Sequence, residues 1–270
     1  MPAEPLSPED LKEDLTAYVD FCTEVAEARV DPAKCGEEFE DLSRYYRALG
    51  ICQLSGDADI DGFFHHLIQS ALARRHYLNG VQGGGEPRYR RASFIDPALD
   101  AMAARQWKLA DTLFGLVSPT WTEGEEYEDD FCYADAIRRL TTDDPEPLEP
   151  LLAHWEDVLE GGQDRRLPLV RALIAGDPAA FNEALTDHLS AEDAKQRKIA
   201  DPEDGCSLAD EAPFFPNRWV SVEGLALLAL AEKRGMEVPD LFKGCPPPAR
   251  TGAFGPFRSP GFPYVKYTNE

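Results

Sequence analysis

Several things are scarce in this sequence, and each shortage removes a class of protein. Positive charge comes first: 27 Lys and Arg stand against 50 Asp and Glu in 270 residues, a formal net charge of −23. A surface with that balance repels a polyphosphate, so direct nucleic-acid binding is not expected. No apolar run approaches the roughly 20 residues that a bilayer span needs. The opening stretch MPAEPLSPEDLKEDL carries acidic residues where a secretory leader needs basic ones. A cytoplasmic protein with no membrane segment is the expectation. The cysteines (Cys22, Cys35, Cys52, Cys132, Cys206 and Cys245) form no C-x-x-C pair. In that compartment they read as reduced thiols, several of them in the core.

Signatures of catalysis are equally thin. G-x-S-x-G, the phosphate loop and the dinucleotide fingerprint are all missing, and so is the strand pattern that would carry them. The GGG at 83–85 lacks the Lys and helix start of a phosphate loop. Asp61 and His65 lie four apart and would share a helix face, which is half of a metal site. Adjacent His65 and His66, however, point about 100° apart on a helix, and no second pair at ligand spacing follows. His188 falls on an apolar helix face, where a satisfied boundary histidine is the ordinary outcome. No catalytic residue, metal or cofactor is expected.

What the sequence does contain is helix. Ser7, Pro8 and Asp10 form a helix start, and Leu11, Leu15, Tyr18, Cys22 and Val25 then recur on one face. Phe39, Leu42, Tyr46 and Leu49 mark a second helix, and Ile60, Phe63, Phe64, Leu67, Ile68 and Ala71 a third, with Gly56 and Asp57 between them. NGVQGGGEPRYRR, at 79–91, reads as a surface loop. A fourth helix is expected from Asp96 and Pro97 past Trp107 to about Leu116, another over about 126–140, and another carrying Leu152 and Trp155, the latter as a core anchor.

Further on, Gly176 ends one helix, Asp177 caps the next and Pro178 takes its first position, with Phe181, Ala184, Leu185, His188 and Leu189 following at helical spacing. Val222 to Lys233, containing GLALLALA, is apolar nearly all round and should be central. The expected fold is therefore all-α: stacked antiparallel helices in a helical-hairpin array, as one domain over 1–270. A helical body would fill 1–236, with an extended Pro-, Gly- and aromatic-rich tail over 237–270 packing on it.

One surface feature stands out. Glu123, Glu125, Glu126, Glu128, Asp129 and Asp130 place six carboxylates in eight residues, with Tyr127 among them and Trp121 just before. Acidic residues in a first helical turn favour the helix dipole with no further purpose. The same run would also offer carboxylates to Lys and Arg of a basic partner, with the two aromatics adding contact area. These eight residues are the candidate partner-binding set.

From about residue 165 to 250, ALIAGDPAAFNEALTDHL, a polar linker, SVEGLALLALAEKRGMEV and then PPPAR follow in an order that resembles the C-terminal half of the immunity 49 family. These are all-helical antidotes encoded beside bacterial polymorphic toxins. ARQWKLADTLFGLVSPTW, with the acidic helix after it, is similar to that family's middle. The resemblance implies a stoichiometric inhibitor that binds one cognate toxin effector domain and does no chemistry. Two other classes remain compatible with the residues: a helical-repeat adaptor using the groove between helix pairs, and a helical metal-dependent enzyme whose carboxylates and histidines converge in space.

Overall fold

The computed structural model describes residues 7–28, 31–81, 84–142, 147–199 and 213–250. They form α1 (Pro8–Ala28), α2 (Gly36–Asp57), α3 (Ile60–Val81), α4 (Asp96–Ala103), α5 (Trp107–Leu116), α6 (Glu128–Thr142), α7 (Glu149–Val158), α8 (Arg166–Ala175), α9 (Pro178–Ile199) and α10 (Val222–Lys233). Among the described residues the only pairing of strand type is an isolated bridge between Phe242 and Cys245. The fold is all-α.

Local chemistry sets many of the helix ends. The Ser7 hydroxyl accepts from the Asp10 amide at 3.2 Å while the Asp10 carboxylate accepts from the Ser7 amide at 3.0 Å, a reciprocal capping box with Asp in the usual Glu position. Gly176 closes α8 at φ +63, and Asp177 Oδ1 accepts from the amides of Ala179 and Ala180 at 3.0 and 3.1 Å to start α9.

Other boundaries differ from expectation. The helix expected from Asp96 to Leu116 is two helices, α4 and α5, because Arg105 takes φ +56 and the Gln106 amide turns back to the Ala101 carbonyl. The α2–α3 break falls not at Gly56 and Asp57 but just after, where Ala58 is left-handed at φ 53 and Asp59 caps α3 through the Gly62 amide. α3 itself runs on to Val81, into the segment expected as a loop, and Pro87–Arg90 make a 3-10 turn.

α1, α2 and α3 fold back on one another in sequence, and α8 and α9 form a hairpin. The middle of the body is a pairing across the chain: α4 lies between α3 and α10. α4 is buried from Pro97 to Ala103, and α10 nearly throughout from Val222 to Ala231. Gly224 lets α10 come close, since a Cβ there would meet Cys245 Sγ at 2.7 Å and Leu189 Cδ2 at 2.8 Å. One contiguous apolar cluster draws on every helix from α1 to α10. A smaller one joins Leu11, Leu15, Ala48, Leu49, Cys52 and Phe215.

A polar triad sits inside. Asp100, fully buried, accepts from Arg47 Nε and Ser70 Oγ at 2.6 Å each, tying α4 to α2 and α3. Of the expected tail, residues 237–250 run past a 3-10 turn at Pro247–Ala249, with Cys245 and Ala249 buried on the body and Leu241 exposed. The remainder of the expected tail, 251–270, lies outside the described residues, as does Cys206.

Candidate functional site

The acidic run occupies the turn between α5 and α6 and the first turn of α6. Its base is pinned where the Ser118 amide donates to the Arg90 carbonyl at 2.9 Å. Gly124, at φ +83, lets the chain reverse. The carboxylates of this run, alike in sequence, have different employment in space. Glu126 is turned inward, accepting from the amide of Ser93 at 2.9 Å and that of Thr122 at 3.2 Å, so it holds the turn in shape. Trp121 donates its ring N–H to the Glu126 carbonyl at 3.1 Å and stays about a third exposed.

Glu128 meets His154 Nε2 at 2.9 Å. Asp130 pairs with Arg166 at 2.7 Å, and Asp129 with the same guanidinium at 3.6 Å. Glu123 and Glu125 are exposed and make no ion pair among the described residues. Tyr127 is 80% exposed. The eight residues thus split into a structural half and an outward half, the latter being Trp121, Glu123, Glu125 and Tyr127.

An apolar cleft of about 270 Å³ adjoins this turn. Its walls include Ala92 from the segment before α4, Phe114, Val117 and Pro119 from the end of α5 and the residues after it, and Phe131 and Ala134 from α6. The acidic turn leaves the cleft at Pro119 and returns to it at Phe131. Asp135, at the cleft's polar end, has both oxygens engaged by Arg138 and Arg139 at 2.8–2.9 Å.

The other concentration of polar groups lies where α6, α8, α9 and α10 meet, along a cleft of about 460 Å³. Tyr133 donates its hydroxyl to Glu223 Oε1 at 2.5 Å, and His188 Nε2 meets Glu223 Oε2 at 3.2 Å. Arg166 lies over the Tyr133 ring at 4.9 Å and is fastened by Asp164 and Asp130. Burial alone would raise the Glu223 carboxyl, but the hydrogen bond and charge of His188, the Tyr133 hydroxyl and Arg166 together hold it down to about 2. Burial opposes charge on His188 too, yet Glu223 and Glu192 outweigh it, so its pKa is raised. Burial holds the Tyr133 hydroxyl protonated, well above its ordinary value.

The histidine-rich face of α3 differs from this. Burial lowers the pKa of His65 and takes His66 down to about 4, and His66 Nδ1 is engaged with the Gly62 carbonyl at 2.8 Å. Burial pushes the thiols of Cys22, Cys52, Cys132 and Cys245 up to about 12, which keeps them protonated and poorly nucleophilic. Among the described residues no group of three or more His, Cys, Asp and Glu could hold a metal ion. No helix among them is long and apolar enough to cross a membrane.

Comparison with known proteins adds one finding. The profile of the family described as immunity protein 49 matches residues 57–239, which takes in α3 through α10, the acidic turn and both clefts. No curated protein and no solved structure matches the chain.

Proposed function

The chain belongs to the immunity protein 49 family, and we propose that it acts as an immunity protein by binding a cognate bacterial toxin domain one to one, without chemistry of its own. The match across residues 57–239 carries this reading. Three physical features support it. The charge of −23 favours a basic partner and speeds its arrival. The groups best suited to acid–base chemistry are engaged with one another, as at Glu223, or held protonated, as at the buried thiols. A packed helical body presents a surface with little reorganisation on binding, which keeps the entropic cost of association low.

The face we assign to the partner is the turn between α5 and α6, with Glu123 and Glu125 for its cations and Trp121 and Tyr127 for contact area, while Glu126, Glu128, Asp129 and Asp130 hold that turn and shape the local field. The partner is a basic toxin effector domain met in the cytoplasm, with neither nucleic acid nor membrane bound directly. The whole chain acts as one domain.

Co-expression with the toxin domain encoded beside it is the test. Growth is expected to be restored, and the two chains are expected to purify together. Rescue with no complex would contradict neutralisation by binding.

A further inference from the structure

In a chain with 50 acidic and 27 basic residues, a cation with no partner is the unusual case. Among the described residues the Lys and Arg side chains have partners as a rule: Lys12 reaches Asp57, Arg47 reaches Asp100, Arg105 and Arg250 reach Glu232, and Lys243 reaches Asp193. Arg165, just before α8, and Lys195, on α9, are different. Both are exposed, and neither makes an ion pair, hydrogen bond or ring contact among the described residues. Lys195 even stands three residues after Glu192 on α9, a spacing at which opposite charges commonly pair, and makes no such pair. Both cations line the same cleft, the one of about 460 Å³ where α6, α8, α9 and α10 meet.

The carboxylates of that cleft are already engaged. Glu223 accepts from Tyr133 and His188, Asp164 and Asp130 hold Arg166, and Asp129 lies 3.6 Å from the same guanidinium. Glu192 has no ion pair with a Lys or Arg, but its charge acts on His188. What the cleft leaves unanswered is therefore positive charge, in a molecule that is negative overall. The cleft also continues the acidic run, since Asp129 and Asp130 belong to both.

We propose that this cleft is part of the toxin-binding face and receives an acidic side chain, Asp or Glu, of the toxin domain on Arg165 and Lys195. This rests on the reading of the chain as a toxin-binding immunity protein. Charge selects the occupant: Glu123 and Glu125 take cations of the toxin, and Arg165 and Lys195, beyond Asp129 and Asp130, take an anion. A uniformly basic surface would be drawn in by the overall field and then meet two like charges at the cleft. The field speeds encounter, and the two cations decide which basic partner stays.

The experiment measures binding kinetics of the toxin domain encoded beside this chain with wild type, Arg165→Gln/Lys195→Gln and Arg165→Glu/Lys195→Glu, each first checked for native helicity and melting. Neither side chain holds a contact among the described residues, so the fold should be unchanged. The reversal makes the chain still more acidic, and long-range attraction of a basic partner alone would strengthen binding. The proposal predicts the opposite sign. The reversed variant should bind about 10-fold or more weakly, mainly through faster dissociation, with the neutral variant between it and wild type. Changing the toxin's Asp and Glu residues to Lys one at a time should find a position that restores binding to the reversed variant. Binding by the reversed variant that equals or exceeds wild type would remove the cleft from the interface and leave the immunity reading standing. If wild type neither binds nor protects, the immunity reading fails and this inference fails with it.

Discussion

At the residue scale, the distinction that matters is between carboxylates that hold the fold and carboxylates that face outward. Glu126 satisfies two backbone amides, and losing a partner leaves such groups unpaired. Glu126→Ala is expected to lower stability by about 1–3 kcal/mol, whereas Glu125→Ala should stay within about 0.5 kcal/mol, as an unpaired surface site does. Equal effects in chemical denaturation would contradict the division.

Glu223 and His188 make a second residue-scale case, with opposite pH signs. Glu223 is held down to about 2, so its contribution is present above the ordinary carboxyl value of 4.5 and is lost as pH falls through 2. His188 is raised, so its contribution is full below the ordinary 6.5 and is lost as pH rises through the higher folded value. The stability gap between wild type and His188→Gln should therefore narrow as pH climbs above 6.5. A gap that stays constant from pH 6 to 9 would show that the histidine holds by shape alone.

At the element scale, helix ends written in local chemistry were legible and those set by the tertiary environment were not. Ser7, Pro8 and Asp10, and Gly176, Asp177 and Pro178, are capping residues, and the structure places the helix ends at them. Gly176 has open space around the position of a Cβ, so Gly176→Ala should cost only the left-handed backbone strain, about 1–2 kcal/mol. A melting curve unchanged by it would remove glycine from the cap.

The α4–α5 break carries no such mark. Arg105 is no turn former, yet it sits at φ +56, with its guanidinium paired to Glu232 at 2.5 Å. A partner 127 residues away cannot be read from a local window. The Tyr133, His188 and Glu223 cluster was missed for the same reason, its members coming from α6, α9 and α10. Trp155, by contrast, followed from periodicity and is fully buried against Tyr133. Trp155→Ala should cost about 3–5 kcal/mol. The acidic run was visible as composition, but its division into inward and outward halves depends on Ser93, His154 and Arg166, which lie elsewhere in the chain.

At the scale of the whole molecule, α4 is held between α3 and α10 by a pairing that joins distant parts of the chain, and the net charge surrounds the body with a negative field. On the proposed function, neutralisation by occupancy uses one copy of this chain for each toxin domain. That sets it apart from any protein that protects by modifying or degrading its target, because a catalyst needs far less than one equivalent.

The most direct measurement is a titration of the toxin domain's activity with this protein, read alongside calorimetric binding. Inhibition should rise linearly and end at one equivalent, in step with complex formation. Full inhibition at a small fraction of one equivalent, or inhibition with no heat of binding and no complex, would contradict the account.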